Sequence, residues 1–385
     1  MTGSKGARPK MVVYTHSLLE PSMTFVLSHA EALRRYDAVY AGAHRVSGLA
    51  LPAERSFTAN RGGAVGRANE FLFRRFGMVG GLARQLARFR PSLVHAHFGL
   101  SGPAGLILAR ALDVPLVVTY HGQDATISDE DMHRSWRGRE YLRGRAAVMR
   151  EAGAIIAVSD FIRGRLLEKG YPPEKVTTHY NGIDVKFFQA ARIEREAVIV
   201  FVGRFVEKKG CESLLRAAGL LQQRGAPIRL IVIGDGPLGP ELRRLSSELG
   251  LDATFTGFLP SAEVRRHMGL ASAVAVPSVT ASNGDSEGLP TVILEAQALA
   301  TPVIATRHAG NAEGVLEGRS ALLVGERDVP ALAEAMHHLI SNPAAVQSFG
   351  DAGRRHVQDR FDLDRQVEGL ERIYDRARHQ YKGRS

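Results

Sequence analysis

Cysteine is almost absent from this 385-residue chain: Cys211 is the only one, so no intramolecular disulfide can form. That agrees with a reducing cytosol without requiring one. Long apolar runs are absent too. The longest stretch free of Asp, Glu, Lys, Arg and His is 268–284, and Ser, Thr, Pro and Asn interrupt it. No segment therefore has the length and apolarity of a membrane span. Residues 2–10 are polar and basic and lack a signal-peptide apolar core, so they read as a frayed tail. There is no short-period repeat and no low-complexity segment.

What is present is a soluble-protein composition with unevenly placed charge. The formal net charge is +10. Residues 1–190 hold 26 Lys and Arg against 16 Asp and Glu, whereas the rest holds 24 of each. A basic half suggests an anionic partner, whether nucleic acid, a membrane surface or a phosphorylated acceptor. The length favours two domains, each large enough for its own core. Apolar runs predict strands at 11–15, 37–41, 93–97, 115–120, 154–158 and 176–180. After a turn at 181–196, more follow at 198–203, 228–233, 253–257, 273–277, 302–305 and 321–323. Helical patterns lie between them. Strands alternating with helices imply parallel, doubly wound sheets, so the fold class is α/β with two Rossmann-like domains.

The most informative segment is Ser286-Glu287-Gly288-Leu289-Pro290-Thr291-Val292-Ile293-Leu294-Glu295. Pro290 is suited to a first helical position, and Gly288 permits close approach. Glu295 falls on the apolar face of the helix that follows, where a carboxylate needs a partner. Glu287 stands just ahead of the helix, where free amides attract anions. Amides for phosphate and carboxylates for hydroxyls would suit a phosphorylated polar ligand; a helix cap plus one satisfied Glu is the plainer alternative. Upstream, Val198-Ile199-Val200-Phe201-Val202-Gly203 reads as a buried strand, followed by Arg204 and Lys209 on the turn into a helix at about 211–224. Ligands of open α/β sheets bind at such strand ends, and two cations there suit a diphosphate.

Together these segments resemble the retaining glycosyltransferases of family four. Val118-Thr119-Tyr120-His121-Gly122-Gln123-Asp124 is similar to the family's His-Gly-x-Asp turn. Asn181-Gly182-Ile183-Asp184 with Phe187, Val232-Ile233-Gly234-Asp235-Gly236-Pro237, and Thr301-Pro302-Val303-Ile304 with Gly310 and Glu313 resemble three more of its motifs. The resemblance covers roughly residues 11–375. It implies the GT-B fold, two Rossmann-like domains facing a central cleft. The expected division is an acceptor-side domain at 1–188, a donor-side domain at 189–364, and a last helix from 365 crossing back to the first.

The resemblance implies transfer of a hexose from a nucleotide-diphosphate sugar to a glycan or polyprenol-linked hydroxyl, with retention. Arg204 and Lys209 would stabilise the leaving diphosphate together with the amides at 289–291, so neither metal nor cofactor is expected. Glu287 would bind the donor sugar and Glu295 the ribose. His121 would bind the donor sugar or orient the acceptor. Gly203, Gly234, Gly288, Leu289, Pro290, Thr291 and Phe258 complete the expected donor contacts. UDP-hexose is favoured slightly over GDP-mannose as co-substrate. Where many members carry a Gly-rich loop, this chain has 16–25, with Pro21-Ser22-Met23-Thr24-Phe25 resembling the exopolysaccharide and colanic-acid branch. A nucleotide-sugar epimerase or a non-catalytic glycan-binding protein could share the architecture. Nucleic acid is not expected, because it would leave Arg204, Glu287 and Glu295 unexplained.

Several patterns carry other readings. Gly234-x-Gly236-x-x-Gly239 matches a dinucleotide fingerprint literally, but Pro237 interrupts it and no acidic residue ends the next strand. Asp129-Glu130-Asp131 has Asp-x-Asp metal spacing but lies in a polar run and reads as a solvated acidic loop or a helix start, and Ser159-Asp160 reads as an N-cap pair. His95 and His97 alternate on one strand face without a third ligand at characteristic spacing, so they read as structural or site-lining. Phe71, Phe73, Arg74 and Arg75, with Arg84 and Arg88 after them, interleave rings and cations as a peripheral helix on an anionic membrane does. The alternative is a helix burying its Phe rings in the core. Localisation is expected to be cytoplasmic, peripheral at the inner membrane face if that patch docks.

Overall fold

A computed structural model describes residues 8–189 and 195–382, with the side chains at 74–76 outside that description. The chain divides into two compact units, one ending at Gly182 and resuming at Leu363, the other spanning Ile183–Asp362.

The first unit is built on β1 (Lys10–Leu18), β2 (Asp37–Arg45), β3 (Ser56–Thr58), β4 (Pro91–His97), β5 (Leu116–Tyr120), β6 (Ala154–Ala157) and β7 (Val176–Thr178). They form one sheet in the order β3-β2-β1-β4-β5-β6-β7, every pair parallel. The strands read as continuous apolar runs because helices cover both faces. The strand order reverses between β1 and β4, which defines a topological switch point. One face packs Val12, Tyr14, Val94 and Val118. The other packs Met11, Val13, Leu93, Val117 and Ile156 against Val367, Leu370, Ile373 and Tyr374. The helix Leu363–Gln380 is therefore part of this unit's core. Its buried Glu371 accepts from the amides of Arg34 (2.8 Å) and Arg35 (2.6 Å).

The second unit comprises β8 (Glu196–Val202), β9 (Arg229–Ile233), β10 (Ala253–Gly257), β11 (Ala271–Val276), β12 (Val303–Thr306) and β13 (Ala321–Val324). Their order is β10-β9-β8-β11-β12-β13, again all parallel, so the reversal falls between β8 and β11. Each expected strand is observed with ends shifted by a few residues. The short edge strand β3 was not expected: three residues give no periodicity. The turn read over 181–196 includes residues 190–194, which lie outside the described residues.

Candidate functional site

The carboxyl end of β8 sits beside the switch point of the second sheet. Gly203 donates to the Ile233 carbonyl at 3.0 Å, and Phe205 to that of Asp235 at 2.9 Å. This locks the Gly203–Phe205 turn onto the Gly234–Pro237 turn. Gly234 has φ +128°, and a Cβ there would lie 2.0 Å from the Gly203 carbonyl oxygen. Only glycine fits, for both reasons. The literal dinucleotide pattern at 234–239 is thus a turn that packs on its neighbour. Arg204 is exposed, and among the described residues its guanidinium makes no ion pair.

A short 3-10 turn, Glu207–Lys209, leads through Gly210 (φ +64°) into the helix Cys211–Gln223. The turn delivers two lysines to two acids. Lys209 Nζ lies 2.8 Å from Glu287 Oε1, with side-chain exposures of 21% and 10%. Lys208 donates to Asp285 Oδ1 at 2.9 Å. Burial by itself would raise the Glu287 carboxyl, but Lys209, Lys208 and His308 together outweigh it and hold it below the usual carboxylate range. Asp285 goes the other way: burial raises it, and Lys208 only partly offsets this. A buried carboxylate kept ionised by lysines is an acceptor for hydroxyl donors.

The backbone of Glu287 is held separately. Its amide donates to His308 Nε2 at 3.3 Å, and His308 Nδ1 donates to Glu326 Oε1 at 2.7 Å. Glu326 also accepts from the Thr280 amide at 2.8 Å. Lys208, Asp285, His308 and Glu326 were missed by sequence reasoning; Asp285 and Lys208, adjacent to the expected pair, were the only signal. The helix Thr291–Ala298 then begins after Pro290, which is the N-cap with ψ 122° and not the first helical residue as expected. A proline locks only φ; here ψ stays extended. No side chain caps this helix, so its first amides are left to other partners. Glu287, Gly288, Leu289 and Pro290 are buried and Thr291 half-buried.

Glu295 lies one turn into the helix and is half-buried. Burial raises its carboxyl to about 7, against a hydrogen bond from Thr291 and the charge of Lys209. Phe258 follows β10 and is 75% exposed, a ring left open to a planar partner. Lys209 thus meets Glu287 beyond the carboxyl end of β8, where Arg204 also stands, and Glu295 lies one turn into the helix that follows Glu287.

His121 belongs to the first unit, directly after β5. Asp124 is fully buried and accepts from the amides of His121 (3.0 Å), Gly122 (2.8 Å) and Gly99 (2.6 Å), so it organises the turn. The His121 ring lies against Phe25 and Phe98, and its Nε2 is 3.2 Å from His97 Nδ1. Burial pushes His121 down to about 3, with His29 adding to the effect. Its imidazole is therefore neutral at any physiological pH. His95 is buried too, between Tyr374 and Thr119, each at 2.7 Å. Ser159 caps its helix by accepting from the Ile162 amide, and Asp129 opens another and pairs with Arg145.

The ring-and-cation stretch divides. It lies on the helices Gly63–Phe76 and Gly80–Ala87. Phe71 is 60% exposed, but Phe73 is 1% exposed and packs edge-on against Tyr14 at 6.2 Å. Phe73 is therefore a core residue and not an interfacial one. Two residues along a helix turn the side chain by about 200°, so neighbouring Phe rings could not share a face. Arg84 and Arg88 are exposed. The side chains of Arg74 and Arg75 lie outside the described residues. Among the described residues no helix is long and apolar enough to cross a membrane.

Two all-parallel doubly wound sheets, with cations and carboxylates on the strand ends of the second, define a GT-B architecture. In the solved structures this fold recurs in Anabaena Alr3699/HepE in complex with UDP and glucose. That match has a TM-score of 0.74, 20% identity, and covers 96% of this chain and 100% of that one. Residues 24–187 match the family model described as Glycosyltransferase Family 4, and residues 196–342 match Glycosyl transferases group 1. The D-inositol 3-phosphate glycosyltransferase of Rhodococcus opacus is 31% identical over 79% of this chain and 72% of its own. A colanic acid biosynthesis glycosyltransferase of Escherichia coli K12, WcaL, is 32% identical over 64% of this chain. The match spans 61% of the length of that relative. The chain belongs to glycosyltransferase family four.

Proposed function

We propose that the protein is a retaining glycosyltransferase that moves a hexose from a nucleotide-diphosphate sugar to a hydroxyl of a glycan or lipid-linked oligosaccharide in cell-surface polysaccharide synthesis. The observation that carries this reading is the Lys209–Glu287 pair, set beside the unpaired Arg204 at the end of β8. Arg204, Lys209 and the amides opening the helix at Thr291 would neutralise the departing diphosphate, so the reaction would not need a metal. Glu287, kept ionised, would accept from donor-sugar hydroxyls, and Glu295 from the ribose. Phe258 would stack on the base. His121, kept neutral, would exchange a hydrogen bond with a sugar hydroxyl without adding charge. Departure and attack on one face of the sugar, assisted by the leaving phosphate, would retain configuration.

UDP-hexose is the favoured donor, a choice supported by the UDP and glucose in the fold neighbour. The colanic-acid relative supports a polysaccharide acceptor. The protein would act in the cytoplasm, with its basic half toward an anionic acceptor or the inner membrane face. A thermal-shift screen with UDP and GDP, followed by product analysis on a panel of donors, tests the reading. Stabilisation by UDP and release of free hexose with UDP are expected. No stabilisation by either nucleotide at millimolar concentration would sink it. Recovery of an epimerised nucleotide sugar would move the protein to another reaction class.

A further inference from the structure

The first sheet has its own group of ligand-type side chains, apart from every residue assigned to the donor. His16 lies toward the carboxyl end of β1, and His44 toward that of β2, where Ser17 and His44 stand opposite each other in register. Glu70 reaches them from the helix Gly63–Phe76. One imidazole nitrogen from each histidine and one Glu70 oxygen all lie within 4.8 Å of one another. His44 Nδ1 and Glu70 Oε1 are already 3.1 Å apart. Two ligands on one zinc-sized ion are separated by about 3.3–3.5 Å in a tetrahedron, so modest side-chain rotation closes the set.

We propose that His16, His44 and Glu70 bind a late first-row divalent cation such as Zn2+, which ties the helix Gly63–Phe76 to the carboxyl end of the first sheet. A hydrogen-bonded His–Glu pair needs one imidazole; the second one converging on the same point is what an ion requires and a pair does not. Two imidazoles and a carboxylate form a donor set suited to zinc and its neighbours. The ligands also have the outer partners that metal sites use for orientation. The far nitrogen of His44 lies 3.3 Å from Ser17 Oγ, which leaves Nδ1 for the ion. The other oxygen of Glu70 accepts from Asn60 Nδ2 at 2.8 Å. Asn60 is fixed in turn, because its Oδ1 accepts from the Gly62 amide at 2.9 Å. A Cβ at Gly66 would lie 2.5 Å from that same Oδ1, so glycine allows the helix to sit this close. The ligand nitrogens of His16 and His44 are shielded from solvent, which favours an ion held by protein groups.

The position is chemically useful. The helix Gly63–Phe76 buries Phe73 while leaving Phe71 60% exposed, and it leads into the arginines read as the acceptor side. Fixing Glu70 to two strands would set the angle at which that helix presents its outer face.

The chain supplies its own reporter. Trp136 is the only tryptophan, and its ring centroid lies 6.0 Å from that of His16. The full-length protein, stripped with a chelator, is titrated with Co2+ while Trp fluorescence is followed. Zn2+ affinity is then measured by competition with a chromophoric chelator. Saturable quenching by one Co2+ per chain is expected, reversed by Zn2+. His44→Gln and Glu70→Gln should each weaken Zn2+ binding at least tenfold. His337→Gln, a change at an exposed histidine of the second unit, should not. The melting curves of the metal-free variants are compared with that of metal-free wild type. If His44→Gln does not fold, Glu70→Gln alone decides. Absence of a one-to-one site on the wild type overturns the proposal. So does wild-type Zn2+ affinity in a folded Glu70→Gln protein.

Discussion

Replacing Lys209 by Met leaves Glu287 buried without its nearest cation. The two charges are 2.8 Å apart and largely shielded, with side-chain exposures of 21% and 10%. Removing one partner of such a pair typically costs about 3–5 kcal/mol, because an uncompensated charge remains. Lys208 stays nearby on Asp285, so a cost near the lower end, about 3 kcal/mol, is expected at pH 8. The pH dependence has a definite sign. In the wild type the folded carboxyl lies below its ordinary value, so its contribution is present above about pH 4.3 and fades as pH falls through the folded value. In Lys209→Met, burial dominates and the folded value rises. The variant should then recover stability as pH falls from 8 toward 5, and the gap to wild type should narrow. Glu287→Gln added to Lys209→Met removes the stranded charge and should restore most of the loss, giving a coupling above about 1.5 kcal/mol. Denaturant unfolding of all four proteins at pH 8 and pH 5 measures this. Turnover separates stability from chemistry: if Lys209 stabilises the leaving diphosphate, Lys209→Met stays about 10²-fold slow under conditions where it is fully folded. A Lys209→Met protein within about 0.5 kcal/mol of wild type at pH 8, with an additive double variant, would refute the reasoning.

Glu295, raised to about 7, should make nucleotide affinity pH-dependent. If the ionised form binds the ribose, the dissociation constant of UDP should fall about tenfold between pH 6 and pH 8 in calorimetric titrations. Glu295→Gln should flatten that change, whereas Glu287→Ala should keep nucleotide affinity and lose sugar transfer. Gly234→Ala would put a Cβ 2.0 Å from the Gly203 carbonyl oxygen at φ +128°. It should cost more than about 2 kcal/mol in unfolding experiments and weaken UDP binding through the displaced Gly203–Phe205 turn. On the basic side, Phe73→Ala should destabilise by about 3–5 kcal/mol, as loss of a buried ring does. Phe71→Ala should change stability little, but it should reduce co-sedimentation with anionic vesicles at low salt, as should Arg84→Gln with Arg88→Gln. Wild-type protein remaining in the supernatant would exclude the membrane surface as its partner.

The sheets were legible because their strands are buried on both faces and so read as apolar runs such as Val198–Val202. Neither β3 nor the network around Glu287 leaves such a trace. Ser56–Thr58 is too short for periodicity. His308 and Glu326 reach Glu287 across 21 and 39 positions of sequence, through strand ends that only the sheet order brings together. Motif reading singled out Arg204, Lys209, Glu287 and Glu295, and the structure pairs Lys209 with Glu287. It could not rank the two carboxylates: burial raises both, and only the lysine turn decides that one stays ionised. Phe73 failed for a complementary reason. Composition places rings and arginines in one stretch, but helical phase assigns each ring to a face, and the buried partner, Tyr14, stands on β1.

The two switch points solve the same electrostatic problem in opposite ways. On the second sheet, Glu287 is buried and kept charged by lysines held within about one side-chain length, which suits a ligand rich in hydroxyls and phosphate. On the first sheet, the rings of His95, His97 and His121 have no acid among their stated partners, and burial keeps all three uncharged. The chain's positive excess nevertheless lies in residues 1–190. Arginines such as Arg84 and Arg88 stand exposed, while His97 at the end of β4 and His121 after β5 stay neutral. Under the proposed function, such a division would let a basic surface attract an anionic acceptor while the reacting hydroxyl met uncharged groups. A salt titration of transfer kinetics addresses this directly. KM for an anionic acceptor should rise with salt while the rate at saturation holds, because screening acts on exposed charges and spares buried neutral ones. A fall in the saturated rate with KM unchanged would place the attracting charge at the reacting groups instead.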